Sequence, residues 1–464
     1  MAFYDKRLIA HVSSKKGWLV NGWSHNVRIE IKDGLVTYIE TDTVAKSGDV
    51  SVDTLLPALA NLHSHSFQRA MAGMTEFKLV GQDNFWTWRN LMYHFLEHLT
   101  PDHIEAIAAL VFMEMQESGY ASVGEFHYLH HQKGGFRYDD PAEMSMRIMA
   151  AAAKTSIGLT HLPVLYTYGG AQWAPIRGGQ LRFGHSVDQF AKLVDSAKGA
   201  LTGMPPDTKV GIAPHSLRST APDELSSIIN QFSDGPIHIH ISEQPKEVVD
   251  ILDWLGARPV EWILDNQQIN ENWCMIHATH MTPKETRDLA KSGAVVGLCP
   301  ITEANLGDGP FNGSTYLEAG GTFGLGSDSN IKVSLTQELR MLEYSQRLRD
   351  LQRNLFVKGS GSVGKSLYLN AAEGGAKALS RNSGSIEVGR LADLVAINSS
   401  HQQLCGLDLE HLFDGLCFAA DDVVVTDVWS AGRHCVKEGA HVMQQEIVAN
   451  YMDVIKDLRK CLGS

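Results

Sequence analysis

The chain has 464 residues, 44% of them hydrophobic and 20% charged, a balance that excludes a disordered or fibrous protein. Its 40 Lys and Arg against 53 Asp and Glu leave a formal charge of −13, which disfavours a general nucleic-acid or anionic-membrane surface. The length suits one large barrel with an accessory domain, or two to three smaller units.

The start, Met1-Ala-Phe-Tyr-Asp-Lys-Arg7, carries charge but no apolar run leading to a small-residue cleavage site, so no secretory signal is read there. No stretch approaches the roughly 18 apolar residues of a membrane helix. Six cysteines are scattered without a Cys-x-x-Cys pair, and a chain of this size needs no disulfides, so reduced thiols and a cytoplasmic location are expected. Histidine stands out, with 21 residues.

The first stretch reads as short strands. Trp18-Leu-Val20, Val27–Ile31 and Leu35–Ile39 are separated by Asn21-Gly22 and Asp33-Gly34, both hairpin-turn dipeptides. After about Leu56 the rhythm changes. Helical patterns at Asp102–Ser118, Ala142–Thr155, Val187–Leu201 and Pro222–Phe232 alternate with apolar strands. Those strands include Ser122–Phe126, Leu159–Leu165, Val210–Ala213, Ile237–Ile241, Cys274–His277, Ala294–Leu298 and Thr322–Leu325. This repeated β-then-α order predicts a parallel sheet, and eight units would close a (β/α)8 TIM-type barrel. Strand-and-turn patterning returns after about Ser383, at Gly384–Glu387, Ala392–Ile397, Val423–Trp429 and Arg433–Val436. The α/β architecture expected is therefore a barrel over 57–380 and a small composite β-sandwich of 1–56 with 381–443. A closing helix is expected over 444–464.

His63-Ser-His65 directly follows the strand-like run Leu55–Leu62, and residues i and i+2 of a strand share a face. Two imidazoles there can converge on a metal ion, although a hydrogen-bonded histidine pair explains the spacing equally well. Three further strand ends carry similar residues: His240 with Glu243 three positions on, His277, and Asp328. In a (β/α)8 barrel the C-terminal strand ends surround one mouth, where the active site lies. Residues about 265 positions apart, such as His63 and Asp328, would meet there.

His63-Ser-His65, His240 with Glu243, His277 and Asp328 resemble the metal-site signature of the amidohydrolase superfamily. The strand-rich ends, including Gly384–Val395, resemble its composite β-sandwich. More closely, Asn61–Gly73, Phe85–Arg89, Gly124–His130 and Ala213–Arg218 resemble the N-formimino-L-glutamate deiminase family of histidine degradation. The resemblance implies that N-formimino-L-glutamate and water become N-formyl-L-glutamate and ammonia.

It further implies a zinc ion held by His63, His65, His240 and Asp328, which would lower the pKa of a bound water toward about 7. Asp328 would accept the water's proton, His277 would hold the attacking oxygen, and Glu243 would shuttle protons to the departing nitrogen. Two-metal relatives usually carry a bridging lysine carbamate at the end of the fourth strand. Leu159–Tyr168, read in that position, contains no lysine, so one zinc ion per subunit is expected. The dianionic substrate would meet Arg89 and Arg218, whose guanidinium forks suit carboxylates, with Gln68, Tyr128 and His215 as hydrogen-bond partners. A homodimer is implied as well.

Two rivals stand beside this expectation. A deaminase of a purine, pyrimidine or triazine ring would use the same metal site, and a non-catalytic protein would keep zinc for structure alone. Two motif matches are set aside. Gly359–Ser366 fits G-x-x-x-x-G-K-S but lacks the hydrophobic strand that must precede a phosphate loop. His94-Phe-Leu-Glu-His98 fits the inverted zinc-protease pattern but reads as a solvated helix face. His127, His130, His131 and His280 are expected to be hydrogen-bonding groups near the mouth.

Overall fold

The computed structural model describes residues 9–78 and 84–462, so the segment Met1–Arg7 lies outside the described residues. The chain opens with β1 (Ala10–Leu19), β2 (Gly22–Lys32), β3 (Leu35–Glu40) and β4 (Val50–Pro57). Between β2 and β3, Asp33 (φ 53°) and Gly34 (φ 81°) are both left-handed, as a tight two-residue hairpin turn requires.

There follow β5 (Leu59–Ser64), β6 (Tyr120–His127), β7 (Gly158–Leu165), β8 (Lys209–Val210), β9 (Ala213–Pro214), β10 (Ile237–Ile241), β11 (Trp273–His277), β12 (Val295–Leu298) and β13 (Thr322–Leu325). The chain ends with β14 (Leu394–Ile397), β15 (Val425–Ser430), β16 (Arg433–Lys437), β17 (Ala440–His441) and the helix Gln444–Leu462.

Strands β5 to β13 form the barrel. Both β8 and β9 pair with β7 and are two pieces of one stave, so these nine strands make eight staves. Parallel bridges Ile212–Ile237 and Ser216–His240 close the ring. Leu62 fills the interior, and its neighbours must be glycine. A Cβ on Gly324 would lie 2.4 Å from Leu62 Cδ2, and one on Gly297 2.6 Å from Leu62 Cδ1. The helices Pro101–Glu117 and Val187–Ala200 begin within a residue of where expected, on side-chain caps from Thr100 and Ser186, and Thr282 caps Pro283–Lys291 in the same way.

The run Leu55–Leu62, which reads as one strand, is divided between two sheets. β4 ends at Pro57, and the Ala58 N–H turns aside to the carbonyl of Asp393, so β5 starts in the barrel. β1–β4 join β14–β17 in one sheet of order β17-β16-β15-β14-β4-β1-β2-β3. The two ends of the chain thus pair with each other, as expected, within one continuous sheet. It curls until Leu35 of β3 bridges Leu391, just before β14, and encloses Val12, Ile29, Ile31, Leu55, Leu394 and Trp429. Gly384–Glu387 forms no strand, although Ile386 is buried in the same core.

No strand precedes Gly359–Ser366. It follows the helix Leu335–Asp350 and an irregular stretch, and Ser362 caps the helix Val363–Ala378 by accepting from Lys365 N. Lys365 itself reaches over the Trp18 ring. Among the described residues no helix is long and apolar enough to cross a membrane.

Candidate metal centre and active site

The strand-end residues meet at one barrel mouth. Asp328 Oδ1 lies 3.4 Å from His63 Nε2 and 3.2 Å from His65 Nε2, while His240 Nε2 lies 3.1 Å from His63 Nε2. A tetrahedral zinc with ligands near 2.05 Å has donor-to-donor edges of about 3.3 Å, so the spacing of these four donors fits such an ion. The tautomers fit as well. His65 Nδ1 bonds the carbonyl of Phe126 at 2.8 Å and His240 Nδ1 that of His215 at 3.0 Å, which leaves both Nε2 lone pairs for a cation. Burial holds the imidazoles neutral, as ligation requires, with His63 lowered to about 3 and His65 and His240 also lowered. Burial works against the Asp328 carboxylate, yet its hydrogen bond to His63 and the neighbouring imidazoles hold it well below the usual range.

The backbone is strained at these strand ends. His277 (φ 68°), Asp328 (φ 46°) and Ser242 (φ 52°) are left-handed without being glycine, which turns the chain sharply where each strand delivers its side chain.

Glu243 and His277 complete the mouth, with His277 Nε2 3.8 Å from Glu243 Oε1 and 3.9 Å from Asp328 Oδ2. Burial pushes Glu243 up to about 7, although His277 and Arg218 pull the other way. For His277 burial opposes the charge, but Glu243, Glu303 and Asp328 outweigh it and raise the imidazole to about 10.

Gln68, Arg89, Tyr128, His215 and Arg218 line the same pocket as His65, His240, Glu243, His277 and Asp328. Gln68 Nε2 donates to Tyr128 OH at 2.6 Å, and Arg218 Nη2 sits 3.6 Å from Glu243 Oε2. The Arg89 guanidinium lies over the Trp86 ring, 4.6 Å from its centroid, and its buried Nε has no hydrogen-bond partner among the described residues. Gln68 Oε1 is likewise unpartnered, so the pocket wall carries polar groups with bonding capacity to spare.

Several contributors were not read from sequence. Glu303 Oε1 bonds His277 Nδ1 at 3.3 Å and accepts from Cys299 N at 3.0 Å. Glu247 accepts from the N–H groups of Ser242 and Glu243, fixing the turn that presents Glu243. Cys299 stands at the end of β12, and the strand-end rule that found His277 would have found it too.

Other expectations change. The fourth stave is β8 with β9, so Leu159–Tyr168 belongs to the third stave. The lysine of the fourth stave, Lys209, bonds the carbonyl of Ser380 and is not among the residues lining the pocket. His130 and His131 bond the carbonyls of Val164 and Gly184, but buried His127 has no hydrogen-bond partner among the described residues. His94 is exposed, and neither it nor His98 belongs to a ligand cluster among the described residues.

The amidohydrolase family model matches residues 54–435, and a second model, the N-terminal domain of formimidoylglutamate deiminase HutF, matches 13–51. Formimidoylglutamate deiminase from Pseudomonas aeruginosa is 42% identical over 450 residues, covering 96% of this chain and 99% of that protein. The chain belongs to the formimidoylglutamate deiminases of the amidohydrolase family.

As a formimidoylglutamate deiminase homologue it is a hydrolase of a carbon–nitrogen bond. The crystal structure of an amidohydrolase from Brucella melitensis superposes with a TM-score of 0.92 at 41% identity, covering 97% of this chain and 99% of that one. An adenosine deaminase from Xanthomonas campestris with bound zinc shares the fold, with a TM-score of 0.81 at 20% identity over 97% of this chain and 98% of that one.

Proposed function

We propose that the protein hydrolyses N-formimino-L-glutamate to N-formyl-L-glutamate and ammonia, using one zinc ion per subunit held by His63, His65, His240 and Asp328. The observation that carries this is the pair Arg89 and Arg218, which line the pocket that also contains Glu243, His277 and Asp328. Two guanidinium forks in an acidic protein match the two carboxylates of this substrate, whereas a neutral ring calls for stacking and amide contacts.

The ion supplies Lewis acidity, which brings the pKa of water toward about 7. The rest falls to the chain. Asp328 takes a proton from the attacking water, and His277 steadies that oxygen through Nε2. Glu243, raised by burial toward the working pH, protonates the imino nitrogen and makes the amidine carbon more electrophilic. A second proton, the one Asp328 took from the water, reaches the same nitrogen through Glu243; ammonia leaves as the carbonyl forms, and the remaining hydroxyl proton returns Glu243 to its starting state. Gln68, Tyr128 and His215 hydrogen-bond the glutamate portion while Arg89 and Arg218 hold its carboxylates. A cytoplasmic homodimer that binds neither nucleic acid nor membrane belongs to the same proposal.

The deciding experiment measures ammonia release from N-formimino-L-glutamate by zinc-loaded protein and identifies the carbon product. Ammonia with N-formylglutamate is expected. No ammonia from protein shown to contain zinc overturns the substrate assignment.

A further inference from the structure

The barrel mouth contains a second cluster of metal-type donors. His277, Cys299 and Asp328 place one ligand atom each within 4.8 Å of one another, and all three are buried, at 1%, 0% and 5% exposure. The two Asp328 oxygens face different neighbours. Oδ1 lies against His63 and His65, whereas Oδ2 faces His277 Nε2. Glu303 engages His277 Nδ1, so Nε2 is the nitrogen left to face the cluster. The Cys299 backbone N–H is bonded to Glu303, but its thiol has no hydrogen-bond partner among the described residues. An unpaired buried thiol beside an imidazole and a carboxylate is a donor set suited to zinc and other thiophilic divalent ions.

We infer that His277 Nε2, Cys299 Sγ and Asp328 Oδ2 form a second, inhibitory divalent-cation site that shares Asp328 with the catalytic one. Binding replaces both the Cys299 thiol proton and the His277 Nε2 proton with bonds to the metal, and the two protons are released to solvent. Occupancy ties up His277 and Asp328, the groups proposed to steady and deprotonate the attacking water. Excess zinc therefore stops turnover, while the first equivalent sustains it. The inhibitory part of the inference rests on the proposed catalytic roles, but the metal-binding part does not.

The test titrates metal-free protein with Co²⁺ and follows thiolate-to-cobalt charge transfer in the near ultraviolet, beside direct metal counting. The first equivalent is expected to bind without that band and the second with it. Cys299→Ala is expected to keep the first equivalent and lose the second together with the band, while Cys274→Ala keeps both. In activity assays, Cys299→Ala is expected to need about tenfold more excess zinc for half-inhibition, the low end of the effect of altering a metal site's surroundings. A wild type that binds one equivalent and never develops the band overturns the inference, as does a band that survives Cys299→Ala. Failure of the His63–His65–His240–Asp328 reading is recognised separately, by the absence of a first equivalent bound without sulfur. A poorly folded Cys299→Ala protein leaves the wild-type band and stoichiometry to decide.

Discussion

Glu303 Oε1 lies 3.3 Å from His277 Nδ1, which orients the imidazole so that Nε2 faces Glu243 and Asp328. A carboxylate behind a histidine fixes both its tautomer and its ring plane. Glu303→Ala is expected to lower kcat by about 10–100-fold with little change in KM, the usual scale for a partner that orients an active-site histidine. Glu303→Gln, which keeps an acceptor oxygen, should recover part of the loss. Steady-state kinetics of ammonia release with both variants checks this, and an unchanged kcat removes Glu303 from the positioning role.

Glu243 has a different part, since it contacts His277 and Arg218 but belongs to no ligand cluster among the described residues. Glu243→Gln should therefore retain zinc, as counted by elemental analysis, while turnover drops by about 10²–10⁴-fold, the contribution of a positioned proton shuttle. Equal loss of metal would show that the residue supports the ion and not the proton transfer. A wild type inert on amidines and cyclic amines alike would favour a structural zinc protein.

Arg89 and Arg218 are expected to act on binding. Replacing either by Met should cost about 2–5 kcal/mol of substrate affinity, the scale for truncating one partner of a buried charge pair. Zinc content should stay unchanged. Isothermal titration with the product N-formyl-L-glutamate reads the effect, and unchanged affinity removes the dianionic substrate from the proposal.

Far from the mouth, Asp207 joins the barrel to the terminal sheet, with Arg433 at 2.7 Å and Arg381 at 2.9 Å. Burial works against its charge, but the two guanidinium groups outweigh it and hold its pKa at about 2. A carboxylate with a depressed folded-state pKa stabilises the fold fully above its unfolded value of about 3.9 and loses that contribution as the pH falls toward 2. Asp207→Asn is expected to cost about 3–5 kcal/mol at neutral pH, because it leaves largely buried Arg433 without a carboxylate partner, while Arg381 keeps Asp393 at 2.6 Å. Urea denaturation of both proteins at pH 7 and pH 3 measures it, and the gap between them should narrow at the lower pH.

The strand-end histidines, Glu243 and Asp328 were legible in sequence because their placement follows local rules. Alternation in β5 sets His63 and His65 on one face, and parallel staves bring His240, His277 and Asp328 to the same rim. Turn dipeptides were legible for the same reason, since each depends on neighbours within a few residues. What the tertiary structure alone decided involves contacts between distant segments. Pro57-Ala58 divides one apolar run between two sheets because Ala58 answers to Asp393, and the terminal strands form one curled sheet because Leu35 reaches Leu391. Glu303 carries no periodic signature. Its contact with His277 of the neighbouring stave gives it its role, and only the closed barrel brings the two within reach.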